Sequence, residues 1–445
     1  MTRADTRSAE GHRRVWRLAG PIILANLSTP LLGAVDTAVM GHMPEAAFVG
    51  AVAVGSVVFS FLYWGFGFLR MGTTGFAAQA HGAGNHDELR ATLGRALILA
   101  VGLGGFLLVL QVPIGALAFH LLDAGERVGD LARRYYEVRI WSAPFALVNY
   151  AVLGWLLGTQ RASQALLLQV ALNGLNIVLD LVFVLGLGWT VEGVAAASVL
   201  AEMAAAALGL TLCGRRLKRL GGRWSGARLR DPERLLAMLR VNRDIFVRTL
   251  TLIFAFAYFT ATGARLGETT LAANAILIQL LNVLSFGLDG FAHAAEILVG
   301  EAVGRRSRPA LRQAVGVASL WAVGVATVFA GILALGGPMI LAAFTSLDPV
   351  QAAALTYLPW MIAAPFLSVA AYMFDGVFIG ATRTRAMRNA MLISLAVYLA
   401  AVQVLVPWAG NHGLWAALMV LMMARGVTLG AAYPALVRAV TPERV

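Results

Sequence analysis

Charge is scarce in this 445-residue chain: 13% of its residues are charged, whereas a soluble globular protein carries about 25%. With 59% hydrophobic residues as well, a soluble fold is excluded and a membrane protein is expected. Cysteine is nearly missing. The single Cys213 excludes an internal disulfide and the usual Cys-rich metal sites. Lys218 is the only lysine, so the basic character rests on arginine. The histidines His12, His42, His81, His86, His120, His293 and His412 are scattered, with no pair at metal-binding helical spacing. No glycine-rich phosphate loop follows a strand-like run, which removes an ATPase module. Apolar stretches without a nucleophile–base or metal pattern leave no basis for an enzyme.

What the chain does have is long apolar runs. Twelve stretches are long enough to cross a bilayer. They cover 15–40, 46–76, 90–120, 132–158, 162–187 and 191–213, then 235–265, 269–303, 310–343, 350–381, 386–408 and 411–438. With a cytoplasmic N-terminus, the alternate loops on the inner side hold 28 basic residues. The outer loops hold five, Arg127, Arg133, Arg134, Arg139 and Arg265. The positive-inside rule therefore places both termini in the cytoplasm. The net charge of +12 is then mostly a topology signal, and no nucleic-acid partner is needed to explain it. Trp189, Trp408 and Trp415, near the outer ends of spans, read as interfacial anchors.

The chain repeats itself. Pro144-Phe145 followed by Gly154-Trp155-Leu156-Leu157-Gly158-Thr159-Gln160-Arg161 returns as Pro365-Phe366 followed by Gly376-Val377-Phe378-Ile379-Gly380-Ala381-Thr382-Arg383. Ala77-Ala78-Gln79-Ala80-His81-Gly82 pairs with Val299-Gly300-Glu301-Ala302-Val303-Gly304. Glu192-Gly193-Val194-Ala195-Ala196 pairs with His412-Gly413-Leu414-Trp415-Ala416. Six spans per half give the two halves one orientation, hence a pseudo-twofold axis along the membrane normal. The expected fold is an all-α polytopic membrane protein with twelve transmembrane helices in two six-helix bundles. Residues 1–213 form an N-lobe, 214–234 a basic cytoplasmic linker and 235–445 a C-lobe.

Asp36 sits in an apolar run, within Val35-Asp36-Thr37-Ala38-Val39-Met40-Gly41. A bare carboxylate there costs at least ~2.5–3.5 kcal/mol, so a sequence that keeps one is expected to use it. Asn176 and Asp180, four apart in the fifth span, share one helix face, and Asn173 extends that stripe by a turn. An Asn-Asp stripe belongs on the lobe interior rather than in lipid. Ser198, in the sixth span, is a further candidate. Pro21 and Pro30 offer hinge points in the first helix.

With these residues in hand, the chain resembles the multidrug and toxic compound extrusion (MATE) family over nearly its whole length. The first-helix motif around Asp36 carries the resemblance. Gly290-Phe291-Ala292-His293-Ala294-Ala295-Glu296 and Phe374-Asp375-Gly376-Val377-Phe378-Ile379-Gly380 are similar to the DinF-like branch. The resemblance implies export of small, amphipathic and often cationic compounds in exchange for entering H⁺ or Na⁺, with no other cofactor. It also implies an outward-open V of two bundles. In proton-coupled relatives a first-helix Asp joins a fifth-helix Asn and Asp in one network, which here means Asp36, Asn176 and Asp180, with the two acids expected to titrate as a coupled pair. Leu32 stands where some of them have a Tyr, so the network is smaller or completed by water.

In the second half, Asp289 and Glu296 lie seven apart on one face of the eighth span, and Asp375 matches a family acid position in the tenth. These are candidates for second-lobe coupling or substrate contact. The seventh span from Ile245 to Leu266 has no carboxylate, which favours protons over Na⁺. Arg248 either pairs with an acid or snorkels. Tyr63, Trp64, Met71, Phe254, Tyr258 and Met373 are candidates for an apolar substrate cavity, where aromatic faces attract cations. The expectation is a proton-coupled antiporter, a monomer in the bacterial inner membrane. A Na⁺-coupled exporter of the same fold and a lipid-linked precursor flippase are the alternatives, and the shortage of Arg and Lys inside the spans argues against the latter.

Overall fold

The computed structural model describes residues 3–440 except 42, 44, 123 and 124, and for residues 3–8, 29–34 and 36–38 it describes the backbone alone. All regular structure among the described residues is helical. In the first half, α1 is Arg3–Met40, α2 Ala46–Gly65, α3 Phe68–Gly82, α4 His86–Val109 and α5 Gln111–Leu122. Next come α6, Glu126–Arg139, and α7, Ala143–Gly158, joined by a 3₁₀ turn, Ile140–Ser142. Then α8 spans Ala162–Asp180 and runs into a π-helical turn, Leu181–Gly186, and α9 spans Val191–Leu220. A short α10, Gly226–Leu229, precedes α11 (Pro232–Arg265), α12 (Glu268–Gly304), α13 (Arg308–Phe344), α14 (Asp348–Gly380) and α15 (Thr384–Ala439).

Ten of the described helical stretches are long and apolar enough to cross a bilayer. The 56 residues of α15 hold two crossings, because Gly410 breaks the helix at φ 54°. With the 38-residue α1 this makes twelve. The second to fifth crossings each contain a local break. Between α2 and α3, Phe66 and Gly67 make a tight turn on the carbonyls of Tyr63 and Trp64. Beyond α8 the hydrogen bonds lengthen to the π pattern directly after Asp180.

The internal repeat is visible at the level of atoms, at a spacing of 222 residues. Positive φ recurs at Gly84 and Arg306 (64° and 53°), at Gln160 and Thr382 (61° and 54°), and at Gly188 and Gly410 (71° and 54°). Asn85 caps α4 by accepting from the Glu88 N–H, and Ser307 caps α13 by accepting from the Ala310 N–H. Two glycines per half let helices touch backbone to backbone. A Cβ on Gly154 or Gly158 would lie 2.4 Å from the Arg70 carbonyl oxygen or 2.7 Å from that of Thr74. A Cβ on Gly376 or Gly380 would lie 2.1 Å from the carbonyl oxygen of Ala292 or Glu296. Thus α7 lies on α3 as α14 lies on α12, through the same positions of the repeat.

In space the chain divides into two compact units, one of Leu24–Met238 and one of Met1–Ile23 with Leu239–Val445. The boundary falls inside α1. Its leading end packs in the second of these units. There Arg14 pairs with Glu301 at 2.5 Å. The Trp16 ring stands edge-on to Phe291 and Trp321, at 5.3 and 5.0 Å. From Leu24 onward α1 belongs with α2–α9, where Ser28 accepts a hydrogen bond from Asn173 at 2.9 Å.

Two expectations are corrected here. Trp415 is no interfacial anchor: it is fully buried, and its indole N–H donates to Asn274 at 2.8 Å. Trp189 and Trp408 are exposed. Arg139 is not in an outer loop but ends α6, half-buried, with its guanidinium 5.5 Å from the centre of the Phe59 ring.

Candidate functional site

In the unit Leu24–Met238, α8 presents one polar stripe inward. Gln169, Asn173, Asn176 and Asp180 follow at intervals of three and four, which keeps them on a single face. Asn173, Asn176 and Asp180 are 5%, 1% and 0% exposed, whereas their neighbour Val178 is 54% exposed. Gln169 donates to Asn173 at 3.1 Å, Asn173 donates to Ser28 on α1, and Asn176 donates to Ser198 on α9 at 3.2 Å. The stripe therefore ties α1, α8 and α9 through side chains. Burying Asp180 is affordable only with polar partners or a proton. The side chains of Asp36 and Pro30 lie outside the described residues. The backbone of α1 is helical through both, and through the half-buried Pro21.

A second polar cluster in this unit gathers the cavity candidate Tyr63 and Glu202, a weaker candidate acid of the sixth span, with Arg139, Ser142 and Asn149. Tyr63 on α2 donates to Ser142 at 2.6 Å, and the Ser142 hydroxyl donates to the Arg139 carbonyl at 2.8 Å. The Arg139 guanidinium reaches Ser142 at 3.3 Å and lies over the Phe59 and Tyr63 rings. Asn149 on α7 donates to the Glu202 carboxylate at 2.6 Å and to the Glu202 carbonyl at 3.0 Å. Arg139 and Glu202 are within electrostatic reach of each other. The signal for this cluster was present: an Asn and a Glu inside apolar spans need partners.

The unit containing Leu239–Val445 has charge chemistry of another kind. The Asp375 Oδ2 on α14 accepts from Arg248 on α11 and from Arg425 on α15, the latter at 2.6 Å. The side chains of Asp375, Arg248 and Arg425 are 10%, 12% and 3% exposed. Arg248 therefore pairs with an acid and does not snorkel. Tyr372 shares a 2.5 Å hydrogen bond with Ser285 and feels the charges of Asp289, Arg425 and Arg248. Glu296, fully buried on α12, meets the Nδ1 of His293 at 2.9 Å. Asp289 shares the surroundings of Tyr372 with the two arginines that hold Asp375. Glu296 has its own histidine, and Asp375 its two arginines. Asp244, one residue before the acid-free stretch, accepts from Arg388 at 2.8 Å.

The candidate cavity residues divide between the units, Tyr63, Trp64 and Met71 in Leu24–Met238 and Phe254, Tyr258 and Met373 in the other. Phe254 is exposed and stacks on Tyr258 at 6.1 Å, and Tyr258 accepts from Gln403 at 3.1 Å. Trp64 is exposed, Met71 half-buried, and Met373 buried.

Twelve apolar helices with buried titratable groups inside each of two units define a polytopic membrane transporter. A family model described as "MatE" matches residues 21–182 and again 245–405, once in each half. "DNA damage-inducible protein F" of Escherichia coli (strain K12) is 43% identical over 421 residues, 94% of this chain and 91% of that protein. "Probable multidrug resistance protein NorM" of Deinococcus radiodurans is 27% identical and covers 94% of each chain. Among solved structures, "Crystal structure of MATE in the bent conformation" superposes with a TM-score of 0.87 at 20% identity, covering 97% of this chain and 96% of that one. "Crystal structure of MATE in the straight conformation" gives 0.85 at 21%, covering 97% of each. The chain belongs to the MATE family of multidrug and toxic compound extrusion transporters. Its members are transporters and not enzymes.

Proposed function

We propose that this protein exports lipophilic, often cationic small molecules by alternating access, in antiport with protons, across the inner membrane of a bacterium with both termini in the cytoplasm. The coupling group is Asp36 with Asn176, Asp180 and Ser198. One observation carries the reading: Asp180 is fully buried at the end of a stripe in which Asn173 bonds to α1 and Asn176 to α9. A carboxylate in hydrocarbon costs far more than its neutral acid, so gain and loss of a proton there changes which helix packing is favoured.

The repeat supports assigning Asp36 to this group. Tyr258 and Tyr398 stand 222 residues after Asp36 and Asn176. Their rings are in edge contact at 6.2 Å. We extend that pairing to the first half and assign Asp36 to Asn176, with Val402 at the repeat position of Asp180. Charge is kept in one copy and aromatic packing fills the other, so coupling is assigned to the unit Leu24–Met238. In the other unit Asp375, held by two guanidiniums, offers a cation little, which weighs against the Na⁺ alternative.

Each charge moved through 100 mV supplies ~2.3 kcal/mol for export. The test uses inverted vesicles with an imposed pH gradient. Adding a lipophilic cation is expected to collapse part of the gradient, and Asp180→Asn or Asp36→Asn to abolish that response. A response that requires Na⁺ and no proton gradient would overturn proton coupling. Unchanged activity in both variants would overturn the site.

A further inference from the structure

At the end of the unit Leu24–Met238 remote from the Asp180 stripe, a pocket of about 140 Å³ opens between the start of α8 and the last turns of α9. It is lined by Arg161, Gln164, Leu212, Arg215, Arg216 and Arg219. Four of the six are arginines, and the lining has no carboxylate. Arg161 and Arg219 lie close enough to Arg216 to repel it. Like charges brought together this way are unfavourable unless an anion joins them. The Nε of Arg216 is buried with no hydrogen-bond partner, and so is the Oε1 of Gln164. Arg161 is also the N-cap of the 19-residue α8 and gives it no side-chain cap, so the positive end of that helix opens onto the same place.

We infer that this pocket binds a phosphate group. Guanidinium forks match phosphate oxygens in geometry as well as charge. The volume equals four or five waters at ~30 Å³ each, enough for one phosphate and not for an acyl chain. The pocket lies at the end of two membrane-crossing helices, which is where an anionic phospholipid presents its headgroup. A free phosphate ion carries the same chemistry and is the other source. The inference is independent of what the protein exports and of its coupling ion.

The experiment measures thermal unfolding and lipid retention of the purified full-length protein in detergent. The added probes are phosphatidylglycerol, phosphatidylcholine or inorganic phosphate. Phosphatidylglycerol is expected to raise the Tm and phosphatidylcholine not to. The Arg161→Gln, Arg216→Gln double variant should bind phosphatidylglycerol about tenfold or more weakly, as the loss of one charge-assisted hydrogen bond implies. Arg230→Gln, an exposed arginine of the linker outside the pocket, should bind like the wild type. If the double variant does not fold, Arg215→Gln, Arg219→Gln changes only exposed side chains and should show the same loss. Inorganic phosphate matching the lipid effect, with the same loss in the variants, would identify the free ion as the source. Equal stabilisation of wild type and pocket variants by phosphatidylglycerol, or no response to either phosphate probe, would overturn the site.

Discussion

One oxygen of Asp375 serves two arginines, so removing the acid and removing a base have different costs. Asp375→Asn leaves two buried guanidiniums facing each other and is expected to destabilise the protein by ~3–5 kcal/mol, the range for breaking a buried pair. Arg248→Gln keeps the Arg425 pair, at 2.6 Å and more deeply buried, and should cost less. Thermal unfolding in detergent ranks the two, and an Asp375→Asn protein that melts like the wild type would remove the cluster's structural role. At this scale the Asn173–Asn176–Asp180 stripe was legible, because spacing along one helix fixes which residues share a face. The Arg425–Asp375 pair was not. It joins residues 50 apart on separate helices, and nothing in the sequence says how far each helix is rotated. Arg425 lies within a span, and an arginine there calls for an acid at the same depth. Several acids qualified, and only packing chose among them.

Helix contacts in this fold rest on small residues, and the two halves use the same ones. Gly376→Ala would place a methyl 2.1 Å from the Ala292 carbonyl oxygen, forcing α14 away from α12. The expected cost is ~1–3 kcal/mol, as for other overpacked contacts. Gly154→Ala, 2.4 Å from the Arg70 carbonyl oxygen, should behave alike in the other unit, and Gly331→Ala, with nothing within 4 Å, should be neutral. Comparing the three melting temperatures checks this, and equal values would deny the shared contact. Elements were read well from hydropathy, since apolar length is a strong signal. The breaks inside them were not. The π turn after Asp180 involves Leu181-Val182-Phe183-Val184-Leu185-Gly186, an ordinary apolar run, and the turn at Phe66-Gly67 has Leu288-Asp289 at its repeat position inside the unbroken α12.

Across the whole molecule, the repeat was legible because glycines and turn residues recur in order. The division of α1 was hidden, because the helix shows no break at Ile23 and Leu24 that would mark a change of partners. Trp16→Ala should remove two aromatic edge contacts worth ~0.5–1.5 kcal/mol each. Limited proteolysis of this variant is expected to cut faster within residues 239–445 and at an unchanged rate within 24–238. The opposite pattern would refute the assignment of the α1 leading end to the unit with Leu239–Val445. That assignment has a consequence in time. Residues 3–23 leave the ribosome well before the rest of their unit, which begins only at Leu239. At ~5–20 residues per second they wait roughly 10–40 s for the first of it. Arg14 reaches the membrane long before Glu301 exists. During that interval the nascent chain must keep residues 3–23 from finding another partner.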